Sequence, residues 1–204
     1  TALSQKNRDP WANDVTVLSR SCYSVACDQA SMRGSVAGEI AFDAWMEAQG
    51  ARIVYPEKLP LADQLELMQT ARNLIVAEGS ALHALELIGR QPKKLVTVIA
   101  RRPLWIGMDR PLKSRFPKLN WIDAVQELHW LDTANPRVKG VAKLDWKLVI
   151  SKLSTCYGWR ASTADITSLE NATKAQLTEL HRTLPMQTRI CTADDRRPLR
   201  PGGW

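Results

Sequence analysis

The first half of this chain predicts an α/β fold, with a parallel sheet covered by helices on both faces. Three observations carry that reading. Short β-branched and aliphatic runs alternate with stretches of helical period, the connections between them are a few residues long, and the runs are apolar almost throughout. The order from residue 15 to residue 99 is strand, helix, strand, helix, strand, helix, strand. Parallel strands need crossovers of this kind, because no tight turn can join them.

Val15-Thr16-Val17-Leu18 is the first strand, followed by a polar stretch from Ser19 to Gly34. Gly38 to Gln49 reads as a helix with Ile40, Ala41, Ala44, Trp45 and Ala48 on one stripe, and Gly50 suits the left-handed position that closes it. Arg52-Ile53-Val54-Tyr55 is a strand stopped by Pro56. Leu61, Leu65, Met68 and Ala71 share the face of a second helix. Asn73 to Ala77 is a third strand, and Ser80 is positioned to cap a helix running to about Ile88, with Leu82, Leu85 and Ile88 inward. Lys94 to Ile99 makes the fourth strand. In open sheets of this type ligands bind beyond the carboxyl ends of the strands. The segments Ser19–Cys22, Pro56–Pro60 and Glu78–His83 each follow a strand directly.

The second half predicts a mixed, mainly helical extension. Arg101 to Asn120, with three prolines and many cations, reads as an extended connection or lid. Asn120 is placed to cap a helix carrying Trp121, Ile122, Val125 and Leu128. Leu144, Trp146, Leu148 and Ile150 alternate as in a half-buried strand, and Ser162 to Leu184 is helical until Pro185. The tail from Asp194 to Trp204 is expected to be loose. The domains expected are therefore 1–105, a Rossmann-like unit; 106–190, a basic helical extension; and 191–204, a flexible tail.

Composition narrows the functional classes. The 204 residues are 45% hydrophobic and 24% charged, which excludes a largely disordered chain. No apolar run approaches the ~20 residues that cross a bilayer. The opening residues lack the pattern of a signal peptide, so a cytoplasmic location is expected. Cys22, Cys27, Cys156 and Cys191 have neither disulfide-scaffold nor zinc-knuckle spacing, and His83, His129 and His181 are far apart, so free thiols and no metal are expected. Residues 1–100 hold 10 Lys+Arg against 11 Asp+Glu, and residues 101–204 hold 18 against 10. That asymmetry suits a phosphate or acidic partner, or simply a solvated basic surface.

The stretch from Pro56 to His83 carries the chemistry. In Glu78-Gly79-Ser80-Ala81-Leu82-His83 a glycine stands at a strand-to-helix turn, where the missing Cβ lets a ligand approach the backbone. The first-turn N–H groups beyond Ser80 suit a phosphate, although a plain turn and cap would read the same way. Neither G-x-G-x-x-G nor a G-K-[ST] ending is present, which removes the dinucleotide and P-loop readings.

Pro56-Glu57, then Leu59, Leu61 and Gln64, then Ala71, then Glu78-Gly79-Ser80-Ala81-Leu82-His83 together resemble the signature of family 61 glycosyltransferases, the group that includes proteins of capsular polysaccharide biosynthesis. Ser19-Arg20 after a strand and Glu39 opening a helix resemble two further elements of that family. The resemblance spans roughly residues 15–105. It departs from the family pattern at Gly38 and Ala84, where Asn is usual, and at Glu78, where His or another polar residue is common. It implies the carboxy-terminal, nucleotide-sugar-binding half of a GT-B fold and an inverting transferase that moves a hexosyl or pentosyl group from a nucleotide sugar, UDP-linked by expectation, to a saccharide or glycan acceptor. A complete family member also needs an amino-terminal half for its acceptor. One half is visible here, so a fragment or a degenerate relative is expected.

The resemblance implies a donor site of Arg20, Glu57, Gln64, Glu78, Gly79, Ser80 and His83. Arg20 would fork onto the diphosphate, or be a surface arginine in a polar loop. Glu57 would accept from ribose hydroxyls, or stand as a carboxylate near a helix start. Gln64 would orient Glu57 or its turn, or face solvent. Glu78 would touch sugar or ribose, or satisfy loop amides. His83 would donate to the phosphate or leaving group, or be a solvated helical histidine. The general base is expected from the half not visible, and no catalytic residue is assigned. No D-x-D element appears in the chain, and no metal or other cofactor is expected.

Two alternatives stand beside this reading. Eight tryptophans with a basic second half would make a nucleic-acid-binding module, although no recognition motif for RNA or DNA appears and nucleic acid is not the expected partner. A catalytically inactive transferase-like protein is the other.

Overall fold

The computed structural model describes residues 14–22, 34–102, 109–131 and 140–192. Its first sheet has five strands, all parallel: β1 (Val15–Leu18), β3 (Arg52–Val54), β4 (Asn73–Ala77), β5 (Leu95–Ile99) and β6 (Lys118–Ile122). They lie side by side as β3-β1-β4-β5-β6. Counted along the chain, that is second, first, third, fourth, fifth, one of the two common doubly wound orders. The expected Rossmann-like α/β architecture is therefore present.

Alternation along the strands divides the interior in two. Val15, Val17, Ile75, Ile99 and Ile122 turn toward α1 (Glu39–Ala48) and its Phe42, Trp45 and Met46. Leu18, Leu74, Val76, Val96 and Val98 turn the other way. They pack on Met68 of α2 (Leu61–Thr70), Leu82 and Leu85 of α3 (Ala81–Glu86), and Leu112 of α4 (Asp109–Arg115). A period of two places successive side chains on opposite faces. A strand of four or five residues can then be apolar throughout without exposing anything. Gly50 closes α1 at φ +91°, as its position predicts.

A second sheet of four strands joins β2 (Ser35–Val36), β8 (Val141–Leu144), β7 (Val125–Leu131) and β9 (Met186–Ile190), in that order. β2 runs parallel to β8, and β7 is antiparallel to both its neighbours. Two helices accompany it, α5 (Trp146–Tyr157) and α6 (Thr163–Thr183). Helices α4, α5 and α6 thus hold more of 106–190 than its strands do, and the second sheet stands beside the helical character expected there.

Several expectations in the second half are corrected. The helix expected after Asn120 is two strands, β6 and β7, parted at Asp123-Ala124. Trp121, Ile122, Val125 and Leu128 have helical spacing only because two short strands each contribute two apolar residues. The strand expected across Leu144 to Ile150 ends at Leu144. Asp145 accepts the amide of Leu148 at 3.0 Å and starts α5, whose buried face is Trp146, Val149, Ile150, Leu153 and Tyr157. The extended connection from Arg101 to Asn120 contains α4 and the start of β6, with residues 103–108 outside the described residues. The tail 194–204 also lies outside them.

Two corrections concern the first half. The stripe expected on α1 is turned: Ile40 is 61% exposed, whereas Glu39 and Asp43 are buried beside Phe42 and Met46. Ser80 does not cap α3. It has helical φ and ψ itself and no side-chain cap bond, and α3 ends at Glu86.

α6 clamps the start of α1. Its Thr173 hydroxyl donates to Ala37 O at 3.1 Å and accepts the Trp146 indole N–H at 2.8 Å, while Gln176 accepts the Gly38 amide at 2.8 Å. Gly38, at φ +82°, has no room for a Cβ, which would collide with Thr173 Oγ1. Replacing Thr173 by Val is nearly isosteric but strands a buried donor and a buried acceptor. Thr173→Val is expected to lower unfolding free energy by about 2–4 kcal/mol in urea melts, and Thr173→Ser by much less.

Candidate functional site

The strand order sets where a site forms. The strand order reverses between the parallel neighbours β1 and β4, so the loops leaving those strands diverge and open a crevice at the carboxyl rim. The rim is made by Ser19-Arg20-Ser21 after β1, Glu78-Gly79 after β4 and Ala100-Arg101-Arg102 after β5. Ladder-like bonds hold it one residue past the strands: Ser19 N to Val54 O at 2.9 Å, Glu78 N to Ile99 O at 2.8 Å and Ala100 N to Ile122 O at 2.9 Å.

Arginines gather there over glycines. The Arg20 guanidinium lies against the backbone of Gly79, where any Cβ would collide with Arg20 Nη1. The Arg101 guanidinium lies in the same way on Gly34, which sits at φ +50°. Glu78 organises the second half of the group. Its carboxylate Oε2 accepts the Arg101 amide at 3.2 Å, its Oε1 accepts from Arg102 Nε, and its carbonyl accepts from Arg101 Nε at 3.0 Å. Burial of Arg101 lowers its pKa to about 10; Glu78 and Glu39 oppose that shift, while Arg102 and Arg20 add to it by repulsion. Cations held close enough to repel one another make a seat for an anion.

Two acids lie beneath them. Glu39, at the start of α1, accepts the Arg20 amide on Oε1 at 3.1 Å, and its Oε2 is a buried atom with no hydrogen-bond partner among the described residues. Asp43, one turn on, has Oδ2 within 2.6 Å of both the Ser19 and Ser21 hydroxyls. Burial, with Asp43 adding, raises the Glu39 pKa from the usual carboxylate range to about 7, against the Arg20 amide and charge. Burial also raises that of Asp43, opposed by the two serines. Together they line a cavity of about 20 Å³ with Ser19, Val36 and Leu144, room for about one water.

The residues expected to bind a donor separate into two groups. Arg20, Glu78 and Gly79 come together at the rim, Glu78 through its two arginines. Gln64 donates to Pro56 O at 2.8 Å and Leu59 O at 2.9 Å, so it fixes the turn after β3 rather than facing solvent. Glu57 is exposed in that turn. Ser80 is exposed, and His83, 63% exposed, faces Glu86 at 3.4 Å.

Arg101, Arg102, Gly34 and the inward pair Glu39 and Asp43 were not among the expected site residues. A signal was present for all of these but Gly34. Arg101-Arg102 follows a strand directly, as Arg20 does, and the i, i+4 spacing of Glu39 and Asp43 puts both on one side of a helix. Of the tryptophans that would offer stacking platforms, Trp45, Trp146 and Trp159 lie in the core. Among the described residues no group of three or more His, Cys, Asp or Glu side chains gathers as a metal cage, and none of the helices is long and apolar enough to cross a membrane. Cys22 and Cys156 are free thiols, and Cys27 lies outside the described residues.

Comparison of the chain with protein-family models, with curated proteins and with solved structures finds no match.

Glu39 links stability to pH. Its folded pKa of about 7 is above the unfolded 4.5, so the folded chain holds the extra proton between those values. The stabilisation is complete below pH 4.5 and is lost as pH rises through 7. Glu39→Gln, neutral throughout, removes that loss. Its unfolding free energy relative to wild type is expected to increase by about 3 kcal/mol between pH 4.5 and pH 8.5, as read from paired denaturant melts.

Proposed function

We propose that this chain carries the donor-binding part of a sugar transferase of the family 61 kind, holding the diphosphate of a nucleotide sugar at the carboxyl rim between β1 and β4. One observation carries the reading: two guanidinium groups rest on glycines that leave no space for a Cβ, at the crevice where a doubly wound sheet receives ligands. Arg20 and Arg101 supply planar donor forks that match phosphate oxygens. In an inverting transfer the departing nucleoside diphosphate gains charge as the bond to the sugar breaks, and fixed cations in a low-dielectric crevice stabilise that charge. Glu78 keeps Arg101 and Arg102 aimed while remaining away from the ligand. The acceptor is a saccharide or glycan, and its proton goes to a base not assigned among these residues. A cytoplasmic setting, where nucleotide sugars are made, accords with this role.

Isothermal titration of UDP, UDP-sugars, ADP and pyrophosphate into the chain at low salt tests the proposal. A nucleoside diphosphate is expected to bind, with affinity falling as salt rises. Arg20→Ala and Arg101→Ala should each weaken it at least tenfold, at about the cost of one charge-assisted hydrogen bond. Gly79→Ala should weaken it as well by displacing Arg20, whereas Glu57→Ala and His83→Ala should stay near wild type. Donor binding without hydrolysis or transfer identifies an inactive relative. Absence of binding by every nucleotide, or arginine variants indistinguishable from wild type, rejects the site.

A further inference from the structure

A second and larger concavity lies away from the rim. α6 spans β7 and β8 of the four-stranded sheet and leaves a groove of about 770 Å³, lined among others by Glu127, Lys143, Glu170 and Lys174. The groove also reaches His129 of β7 and His181 in the last turn of α6. These residues, 52 apart in sequence, bring His129 Nδ1 and His181 Nε2 to 3.0 Å, with the rings at 83° to each other. Thr188 of β9 places its hydroxyl 3.0 Å from the first nitrogen and 3.3 Å from the second.

The far side of His129 decides which nitrogen carries its proton. Glu127 Oε2 lies 3.2 Å from His129 Nε2, and Lys143 holds the other oxygen of that carboxylate. A carboxylate beside Nε2 favours N–H there and leaves a lone pair on Nδ1, facing His181. Metal-binding imidazoles are held in this way, one nitrogen to the ion and the other to a carboxylate. Burial depresses the His129 pKa, with His181 and Lys143 adding and Glu127 opposing.

We propose that His129 Nδ1 and His181 Nε2 form a two-imidazole seat for a divalent transition-metal ion, with the Thr188 hydroxyl and groove water completing its coordination. Two nitrogens each ~2.1 Å from an ion are ~3.0 Å apart at the right angle of a tetragonal nickel or copper site, the separation found here, and ~3.4 Å apart at the tetrahedral angle of zinc. Imidazole pairs select zinc, nickel or copper over the hard cations magnesium and calcium. An ion in this seat joins the end of α6 to β7, and because it binds only the folded arrangement it stabilises the chain. The inference is independent of the donor site at the rim.

The test is a titration of Ni²⁺, and separately Zn²⁺, into the tag-free full chain at pH 7.5, followed by calorimetry and thermal melting. One ion per chain is expected, with an upward shift in Tm. His181→Ala removes an exposed side chain and should leave the fold intact while weakening binding at least tenfold. His83→Ala, on the far smaller helix α3, should bind as wild type does. ¹⁵N histidine spectra should move at His129 Nδ1 and His181 Nε2. Stoichiometry well below one, unchanged binding in His181→Ala, or shifts confined to His83 or the thiols overturns the proposal and leaves the pair as an ordinary imidazole hydrogen bond.

Discussion

Covering the parallel sheet on both faces is the constraint from which the rest of the molecule follows. A strand such as Asn73–Ala77 has no wet side, so it can carry no charge along its length, and the charged residues of this half are displaced to the strand ends. At the carboxyl ends they meet backbone groups that have left the ladder, and they meet one another. The candidate site is what that displacement concentrates.

The electrostatics of the rim depend on pairs of unequal accessibility. Glu78 is 1% exposed, and its carboxylate is enclosed by the Arg101 amide and Arg102 Nε. An isolated carboxylate at that depth would be costly, and so would the buried Arg101 alone. Paired, they satisfy each other at depth, and Arg102, which Glu78 also holds, carries positive charge closer to the surface. Glu39 differs, since burial raises its pKa to about 7, so the acid beneath Arg20 is about half protonated at pH 7 and its charge grows above it. The two glycines complete the arrangement by letting flat guanidinium groups lie on the main chain.

How much of this was legible varies along the chain for physical reasons. The four strands from Val15 to Ile99 were readable because a doubly buried strand is apolar at every position, and a run followed by Gly or Pro admits few other readings. β6 and β7 were not, because Asp123-Ala124 breaks them without glycine or proline, and their apolar residues fall by chance at helical spacing. α1 was located correctly and turned wrongly. Hydrophobicity places Ile40 inside and Glu39 outside, but the face nearest the rim is where acids find serines and an arginine amide. At the site, Arg20, Gly79 and Arg101 share a place after strands that sequence shows, while Gly34 has no such signal, since its contact with Arg101 joins residues far apart in the chain. The approach of His129 to His181 has no local signature at all.

Thr97 and Tyr157 meet in the interior, hydroxyl to hydroxyl at 2.7 Å, between the central part of β5 and the last turn of α5. Greasy surfaces pressed together tolerate sliding, because one methyl contact substitutes for another. A polar pair in that setting does not, since moving α5 along its axis by a single turn would leave both oxygens dry and unsatisfied. The pair therefore acts as a locating pin, giving the second sheet and its helices one seating on the first where apolar packing alone would permit several.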